Sequence, residues 1–325
     1  MSDAVTYGHA FAEGVSEEMR RDPSIIVIGT DLLERGGHFS QLKGVGAEFG
    51  PSRVRDAPIS EAAMVAAGVG AALNGLHPLI DLNFADFVLG AMDEVVNQAA
   101  KIRYMTGAPV PLVIRMTGGV AYGGEQHNNS MEGWFASMPG LLMAVPATPA
   151  DNKGLIKSAL RGEDPVIFLM HKKLTGVRAV VGGPDDLVPF GQASVRRTGA
   201  DLTIVSYSYM VGRCLEAAEL LAAEGIEADV VDMRTLMPLD LTTIEQSVRK
   251  TGRVMVVTDA PRFGSIASEI AASIQESVFD YLDAPVIRVG AKHAPIPHSP
   301  GLIDALVPST QDIRRVGRDL ARQGL

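Results

Sequence analysis

One cysteine, Cys214, stands in a chain of 325 residues. That scarcity excludes an internal disulfide and any cysteine-built metal cluster, and it suits a reducing compartment. Long apolar runs are missing as well, so no stretch reaches the length of a membrane span. The opening MSDAVTYGHAFAEGVSEEMRRDP lacks the basic start and apolar core of a secretory signal, and its acids argue against a transit peptide. There is no basic run, and the net charge is −9 with a pI near 5.3. Nucleic acid and anionic membrane are thereby set aside as partners, and a cytoplasmic protein is expected. No GxxxxGK loop points to a nucleoside triphosphate, and no GxGxxG opens a helix directly after a strand. The seven histidines show no HExxH pairing, and no GxSxG elbow appears.

What is present is ample apolar material, 46% of residues against 21% charged, enough for two domains with their own cores. The chain is organised around RVRDAPISEAAMVAAGVGAALNG, residues 53–75. Asp56 and Pro58 mark a turn, because the residue before proline is pushed out of the helical region. Ser60 is a suitable N-cap. From Ala62 to Leu73 every side chain is apolar or glycine, which predicts a helix buried on all sides, closed by Asn74-Gly75. At its mouth stands one ionisable group, Glu61. A first-turn acid complements the helix dipole, and that alone would explain it. The sharper reading is a carboxyl held in an apolar pocket, with a raised pKa and a chemical task. The two pull in opposite directions, since the dipole favours the anion and burial favours the acid.

Along the chain, residues 4–21 read as an amphipathic helix. IIVIGTD (25–31), PLIDLNF (78–84), VPLVIRM (110–116), LLMAV and PVIFLMHK read as buried strands. FVLGAMDEVVNQAAKIRYMTG (87–107) reads as one long helix closed by Gly107, and DNKGLIKSALRG as another. Strands alternating with helices predict a doubly wound parallel sheet, with ligands beyond the carboxyl ends of its strands. The expected domains are 1–180 and 199–325, joined by a turn-rich linker over 181–198. The second is a smaller α/β unit with strands DLTIVSYS, IEADVVDM, GRVMVVTD and APVIRVG. HAPIPHSPG (293–301) is a proline-rich excursion. TGGVAYGGEQHNNS (117–130) is a glycine-rich polar loop after the third strand, where Gly123 and Gly124 allow close backbone approach and Gln126, His127, Asn128 and Asn129 gather donors and acceptors. A plain polar surface loop explains it equally well at this point.

DAPISEAAMVAAGVGAALNGLHPLIDLNFADF, NQAAKIRYMTG, EQHNNSMEGWFASMPGL, ATPADNKGLIKSALRGEDPVIF and DMRTLMPLD together resemble the β subunit of thiamine-diphosphate-dependent E1 components, those of the 2-oxo acid (pyruvate, branched-chain) and acetoin dehydrogenases. The resemblance runs from about Tyr7 to Val316. It implies a pyrimidine-binding domain followed by a transketolase C-terminal domain, in an α2β2 heterotetramer that serves a lipoyl-bearing E2. It also implies that the cofactor lies between subunits, the α subunit holding diphosphate and Mg²⁺ and the β subunit the aminopyrimidine. The family's diphosphate motif is GDG followed later by NN. No GDG occurs here, so Asn128-Asn129 is not its second half, and the chain alone should be inert.

The family's glutamate falls on Glu61, bonded to the aminopyrimidine N1′ so that the ring takes the thiazolium C2 proton. Phe87 matches the aromatic packed against that ring, and Ile59 and Asn83 match neighbouring pocket positions, Asn83 replacing a glutamine seen in some members. His127 matches the histidine that orients or protonates the substrate, here followed by NNS rather than SQS. The family's monovalent cation site, usually for K⁺, falls on Leu112, Ala159, Leu160, Gly162 and Asp164, with Gly162 where an aspartate is common and Asp164 where an asparagine is common. Two rivals remain: the C-terminal half of a split transketolase, which typically carries GIAEQ where this chain has PISEA, and a non-catalytic assembly subunit, against which Glu61 argues. The substrate, a 2-oxo acid or acetoin, is not named by the residues.

Overall fold

The computed structural model describes residues 4–121 and 123–322. Two compact units emerge, one of residues 4–118 with 134–190, the other of residues 119–133 with 191–322. The glycine-rich loop therefore belongs with the second unit, although it follows a strand of the first.

The first unit contains β1 (Val5–Thr6), α1 (Tyr7–Arg21), β2 (Ile25–Gly29), α2 (Leu32–Arg35), α3 (Val45–Arg53) and β3 (Val54–Asp56). It continues with α4 (Glu61–Leu73), β4 (His77–Phe84), α5 (Ala100–Thr106) and β5 (Val113–Gly118). After α6 (Glu132–Ala136) come β6 (Leu142–Ala144), α7 (Pro149–Leu160), β7 (Val166–His171) and β8 (Arg178–Ala179). The main strands lie in the order β6-β7-β5-β4-β2-β3, all parallel. Every residue of β5 and β7 is buried, as unbroken apolar runs require when helices cover both faces. Helix α1 lies on α7, and Gly14 permits the approach, since a Cβ there would sit 2.8 Å from Ile156. Two lysines of α7 are buried at this seam. Lys153 Nζ meets Glu13 and Glu17, each at 2.8 Å, and Lys157 Nζ meets Glu17 at 3.1 Å and the carbonyl of Gly183 at 3.0 Å, which ties down the turn-rich segment after β8.

The second unit contains β9 (Ser194–Arg197), β10 (Leu202–Ser206), α8 (Met210–Ala222), β11 (Ala228–Asp232) and β12 (Thr235–Met237). It ends with α9 (Leu241–Thr251), β13 (Val254–Pro261), α10 (Ile266–Val278), β14 (Ile287–Ala291), α11 (Pro300–Leu306) and α12 (Thr310–Ala321). Its sheet runs β14-β13-β10-β11-β9, parallel except for the antiparallel edge strand β9. That strand lies inside the span expected to be linker; its SVRR carries too much charge to read as a strand, and only the edge position makes it one. Cys214 is buried in α8, where burial pushes its thiol up to about 12, so it is no nucleophile at neutral pH. No helix of the described residues is long and apolar enough to cross a membrane.

Three local expectations need correction. Residues 85–106 are not one α-helix but a 3-10 segment (Ala85–Ala91), a π segment (Glu94–Ala99) and then α5, with Gly107 closing in the left-handed conformation. Such changes of pitch cluster at functional sites. Ser60 occupies the N-cap of α4, but its side chain makes no capping bond. Finally, α4 is not buried all round within this chain. Met64, Val65, Gly68, Val69 and Ala72 face the sheet, with Gly68 so close that a Cβ would lie 2.8 Å from Ile80. Ala63, Ala66, Ala67, Gly70 and Leu73 are exposed. An amphipathic pattern was not visible because the outward face is as apolar as the inward one.

Candidate active site

Strand β4 sets out the first group of residues. Its carboxyl end is kinked by a register shift against β5 between Asp81 and Phe84, the kind of irregularity that re-aims side chains near sites. Asn83 carries the kink with a positive φ of 59°, a conformation asparagine tolerates better than most residues. Its backbone amide donates to Asp81 Oδ1 at 3.0 Å, and its side-chain carbonyl accepts from the His38 amide at 3.3 Å. Asn83 thus positions the loop after α2 as well as standing near the expected pocket.

Phe87 follows in the 3-10 turn, a segment that packs on α4, the helix that begins with Glu61. Phe87 is 41% exposed and Ile59 77% exposed, unusual for large apolar side chains beside a carboxylate. Phe87 is backed edge-on by Phe84 at 6.0 Å, and Phe84 in turn meets Phe39 at 5.1 Å and His38 at 5.3 Å. Glu61 is partly buried in the first turn of α4. An exposed aliphatic residue, an exposed ring and a carboxylate between them in sequence fit a flat heteroaromatic ring: apolar faces to sandwich it, and an acid for a ring nitrogen.

Beneath this surface lies a buried ion pair that sequence reasoning missed. Arg115 Nη1 donates to Asp81 Oδ1 at 3.0 Å, with both side chains only 1% exposed. Gln41 Nε2 donates to the other Asp81 oxygen, Arg115 also donates to the Thr117 hydroxyl, and its Nε faces Met170 Sδ at 3.2 Å. Asp81 and Arg115 are register partners on neighbouring parallel strands. The signal was present: one acid in PLIDLNF and one base in VPLVIRM, each alone in an apolar run.

In the second unit, His127 ends a 3-10 turn, Glu125–His127, and its amide donates to the Gly124 carbonyl at 3.2 Å. Asn128 is buried and staples the loop, its Nδ2 donating to the Gly124 carbonyl at 2.7 Å while its Oδ1 accepts from the Ala121 amide at 2.9 Å. Gly123 and Gly124 both have positive φ, as the close turn requires. Tyr122 lies outside the described residues. The loop is hooked to the end of β13, where Asp259 Oδ2 accepts from the Val120 amide at 3.0 Å.

Glu132, just after the loop, is 7% exposed, and its Oε2 has no hydrogen-bond partner. Burial, and secondarily the neighbouring Asp259 carboxylate, push its pKa up from 4.5 to about 8. Folding thus retains on Glu132 a proton that the unfolded chain releases near 4.5. The stability this contributes is complete below that range and is lost as pH rises toward 8, at roughly 1.4 kcal/mol per pH unit. Glu132→Gln is expected to flatten this fall: in thermal melts compared at about pH 5.5 and about pH 8.5, wild type should lose more of its midpoint than the variant. Equal losses would show that Glu132 does not hold the proton.

Of the residues expected to bind a monovalent cation, Leu112, Ala159 and Leu160 are buried in the first unit, and their carbonyls are engaged. The carbonyls of Leu112, Ala159 and Leu160 accept from the Val166 amide (2.8 Å), the Gly162 amide (3.2 Å) and His77 Nδ1 (3.2 Å). The Asp164 carboxylate pairs with Arg103 at 3.0 Å. Among the described residues no group of three or more His, Cys, Asp or Glu is placed to hold a metal.

Two family models match the chain: the transketolase pyrimidine-binding domain over residues 3–177 and the transketolase C-terminal domain over residues 191–313. The β subunit of an acetoin:2,6-dichlorophenolindophenol oxidoreductase of Cupriavidus necator is 42% identical over 97% of each chain. The 2-oxoisovalerate dehydrogenase β subunit of Bacillus subtilis is 39% identical over 98% of each. Among solved structures, a split-gene transketolase described as an inactive β4 tetramer superposes with a TM-score of 0.82 at 26% identity, covering 99% of this chain and all of that one. With both domain models in sequence and relatives of this identity matched end to end, the chain belongs to the family of β subunits of thiamine-diphosphate-dependent 2-oxo acid and acetoin dehydrogenase E1 components.

Proposed function

We propose that this chain is the β half of an E1 enzyme that, with an α subunit in an α2β2 assembly, decarboxylates a 2-oxo acid or cleaves acetoin and passes the acyl group to a lipoyl-bearing E2. In the 2-oxo acid case the substrate leaves as CO₂ and an acyl group, and the lipoyl disulfide is reduced as the thioester forms, so electrons and atoms balance. The observation that carries the reading is Glu61 at the mouth of α4, with exposed Ile59 two residues before it and exposed Phe87 on the 3-10 segment that packs on α4.

Thiamine diphosphate supplies, when bound, the carbon centre that stabilises the charge left by decarboxylation. Ile59 and Phe87 would offer apolar surface to the aminopyrimidine and exclude water from it, with Asn83 fixing the adjoining loop. Glu61 would hold a proton at the ring nitrogen N1′. His127 orients the substrate and delivers a proton to its carbonyl oxygen. The diphosphate and its Mg²⁺ fall to the α subunit, consistent with the missing GDG. A K⁺ held by the carbonyls of Leu112, Ala159 and Leu160 with Gly162 would brace the first unit; with Asp164 engaged by Arg103, it would rely on carbonyl oxygens. The exposed apolar face of α4, continued by Leu89 and Ile59, supports a partner chain, since monomeric surfaces rarely leave so much uncovered.

The experiment is reconstitution with the α subunit. Neither chain alone should turn over substrate, and the mixture with thiamine diphosphate, Mg²⁺ and an electron acceptor (a lipoyl domain or 2,6-dichlorophenolindophenol) should oxidise a 2-oxo acid or acetoin. Ketol transfer between sugars, with no 2-oxo acid or acetoin activity, would instead establish the split-transketolase reading. Full cofactor binding by α alone, unchanged on adding this chain, would establish a purely structural subunit.

A further inference from the structure

The His127 turn forms one wall of a pocket that nothing above has used. Its volume is about 330 Å³, and Glu125, Asn129, Pro261, His293, Ala294 and Pro295 line it. Glu125 and Asn129 are the residues two before and two after His127, so the pocket is walled by the same turn that carries that residue. The opposite wall is the proline-rich excursion that the sequence left without a role. Its placement is built rather than incidental. Ile296, Val307, Ile303 and Ala291 form an apolar cluster with Val120, the residue at the root of the glycine loop. Further along, His298 Nδ1 lies within 3.9 Å of where a Cβ on Gly124 would be. The excursion is therefore anchored to the root of the loop through Val120 and passes close to it again at Gly124.

The chemistry of the lining is mixed. Pro261, Ala294 and Pro295 give an apolar floor, and the His293 ring stands edge-on to Phe263 at 5.6 Å. Three polar side chains face in from opposite walls. Glu125 and His293 make no hydrogen bond to other described residues, so their polar atoms remain for a ligand. A purely aliphatic group here would displace water from a carboxylate and an imidazole and return no hydrogen bonds. A second carboxylate would meet Glu125. A hydroxyl satisfies the pair, because it donates to Glu125 and accepts from His293.

We infer that this pocket selects the far end of the substrate and that the substrate is a 2-oxo acid or acyloin bearing a hydroxyl beyond the reacting carbons. Glu125 and His293 are its specificity determinants. The inference rests on the proposed E1 reading and names the substrate class of that same site.

The test uses the reconstituted α and β chains and matched substrates, 2-oxobutanoate against 4-hydroxy-2-oxobutanoate, with 2-oxoglutarate as the dicarboxylate. Wild type should show the higher kcat/KM for the hydroxylated member. His293→Leu should lower the ratio of the two values about tenfold, the size expected for one or two hydrogen bonds, and mainly through KM. Glu125→Gln should raise kcat/KM for 2-oxoglutarate relative to 2-oxobutanoate. Both residues are exposed, so melting curves matching wild type will accompany these ratios. A wild-type preference for 2-oxobutanoate, or ratios that neither substitution moves, would overturn the inference while leaving the E1 reading intact. No turnover of any 2-oxo acid or acyloin by the wild-type mixture would overturn both.

Discussion

Arg115→Leu is expected to destabilise the first unit by about 3–5 kcal/mol, the usual cost of removing one member of a buried ion pair. The reason lies in what remains. Asp81 is 1% exposed and would keep its charge in the interior with only Gln41 and the Asn83 amide as partners. The pair is no great source of stability in itself, since two charges taken from water give back much of their attraction as desolvation. Asp81→Leu combined with Arg115→Leu should therefore recover much of the loss. Urea unfolding of the two variants and wild type checks this. If the single variant unfolds within about 1 kcal/mol of wild type, Asp81 does not depend on Arg115 as its burial implies. Because Asp81 also holds the Asn83 kink, the single variant should lose cofactor affinity in the reconstituted enzyme as well.

Glu61→Gln should lower turnover of the reconstituted enzyme by about 10²–10⁴-fold, the range that a positioned acid–base group contributes. Glutamine keeps the shape and one acceptor oxygen, so α4 and its packing survive; what is lost is a group able to share a proton with a ring nitrogen. The folded chain should be unchanged, because Glu61 makes no cap and no ion pair among the described residues. Cofactor affinity should change far less than turnover. A parallel loss of both would mark Glu61 as a binding residue instead, and a loss of stability would return it to the role of a helix-dipole partner.

The strands were legible because β-branched, apolar runs bounded by turns leave little choice: β2, β7, β10 and β11 fall within the segments so read, and β4, β5, β13 and β14 overrun theirs by one or two residues. Helix α4 was legible to within a residue at its start for the same kind of reason, as was Gly75 at its end. What could not be read was whatever depends on a partner distant in sequence. The Asp81–Arg115 pair needs the register of β4 on β5, the strand status of β9 needs its place at a sheet edge, and the half-exposed state of α4 needs its packing on β4. Asn128 looked like a ligand-facing amide and is a loop staple, since sequence shows that a side chain can bond but not with whom. Glu132 gave no signal, being an ordinary acid between Met131 and Gly133 until folding removes its water. The proline-rich excursion was noticed but had no partner until Val120 and Gly124 came beside it.

The central claim, that Glu61 acts through the cofactor's pyrimidine ring, is met most directly by deuterium exchange. With thiamine diphosphate bound to the reconstituted α and β chains, the rate at which the thiazolium C2 proton exchanges with solvent deuterium should be at least about 100-fold slower for Glu61→Gln than for wild type, at equal cofactor occupancy. Exchange at the wild-type rate in the Glu61→Gln complex would contradict it.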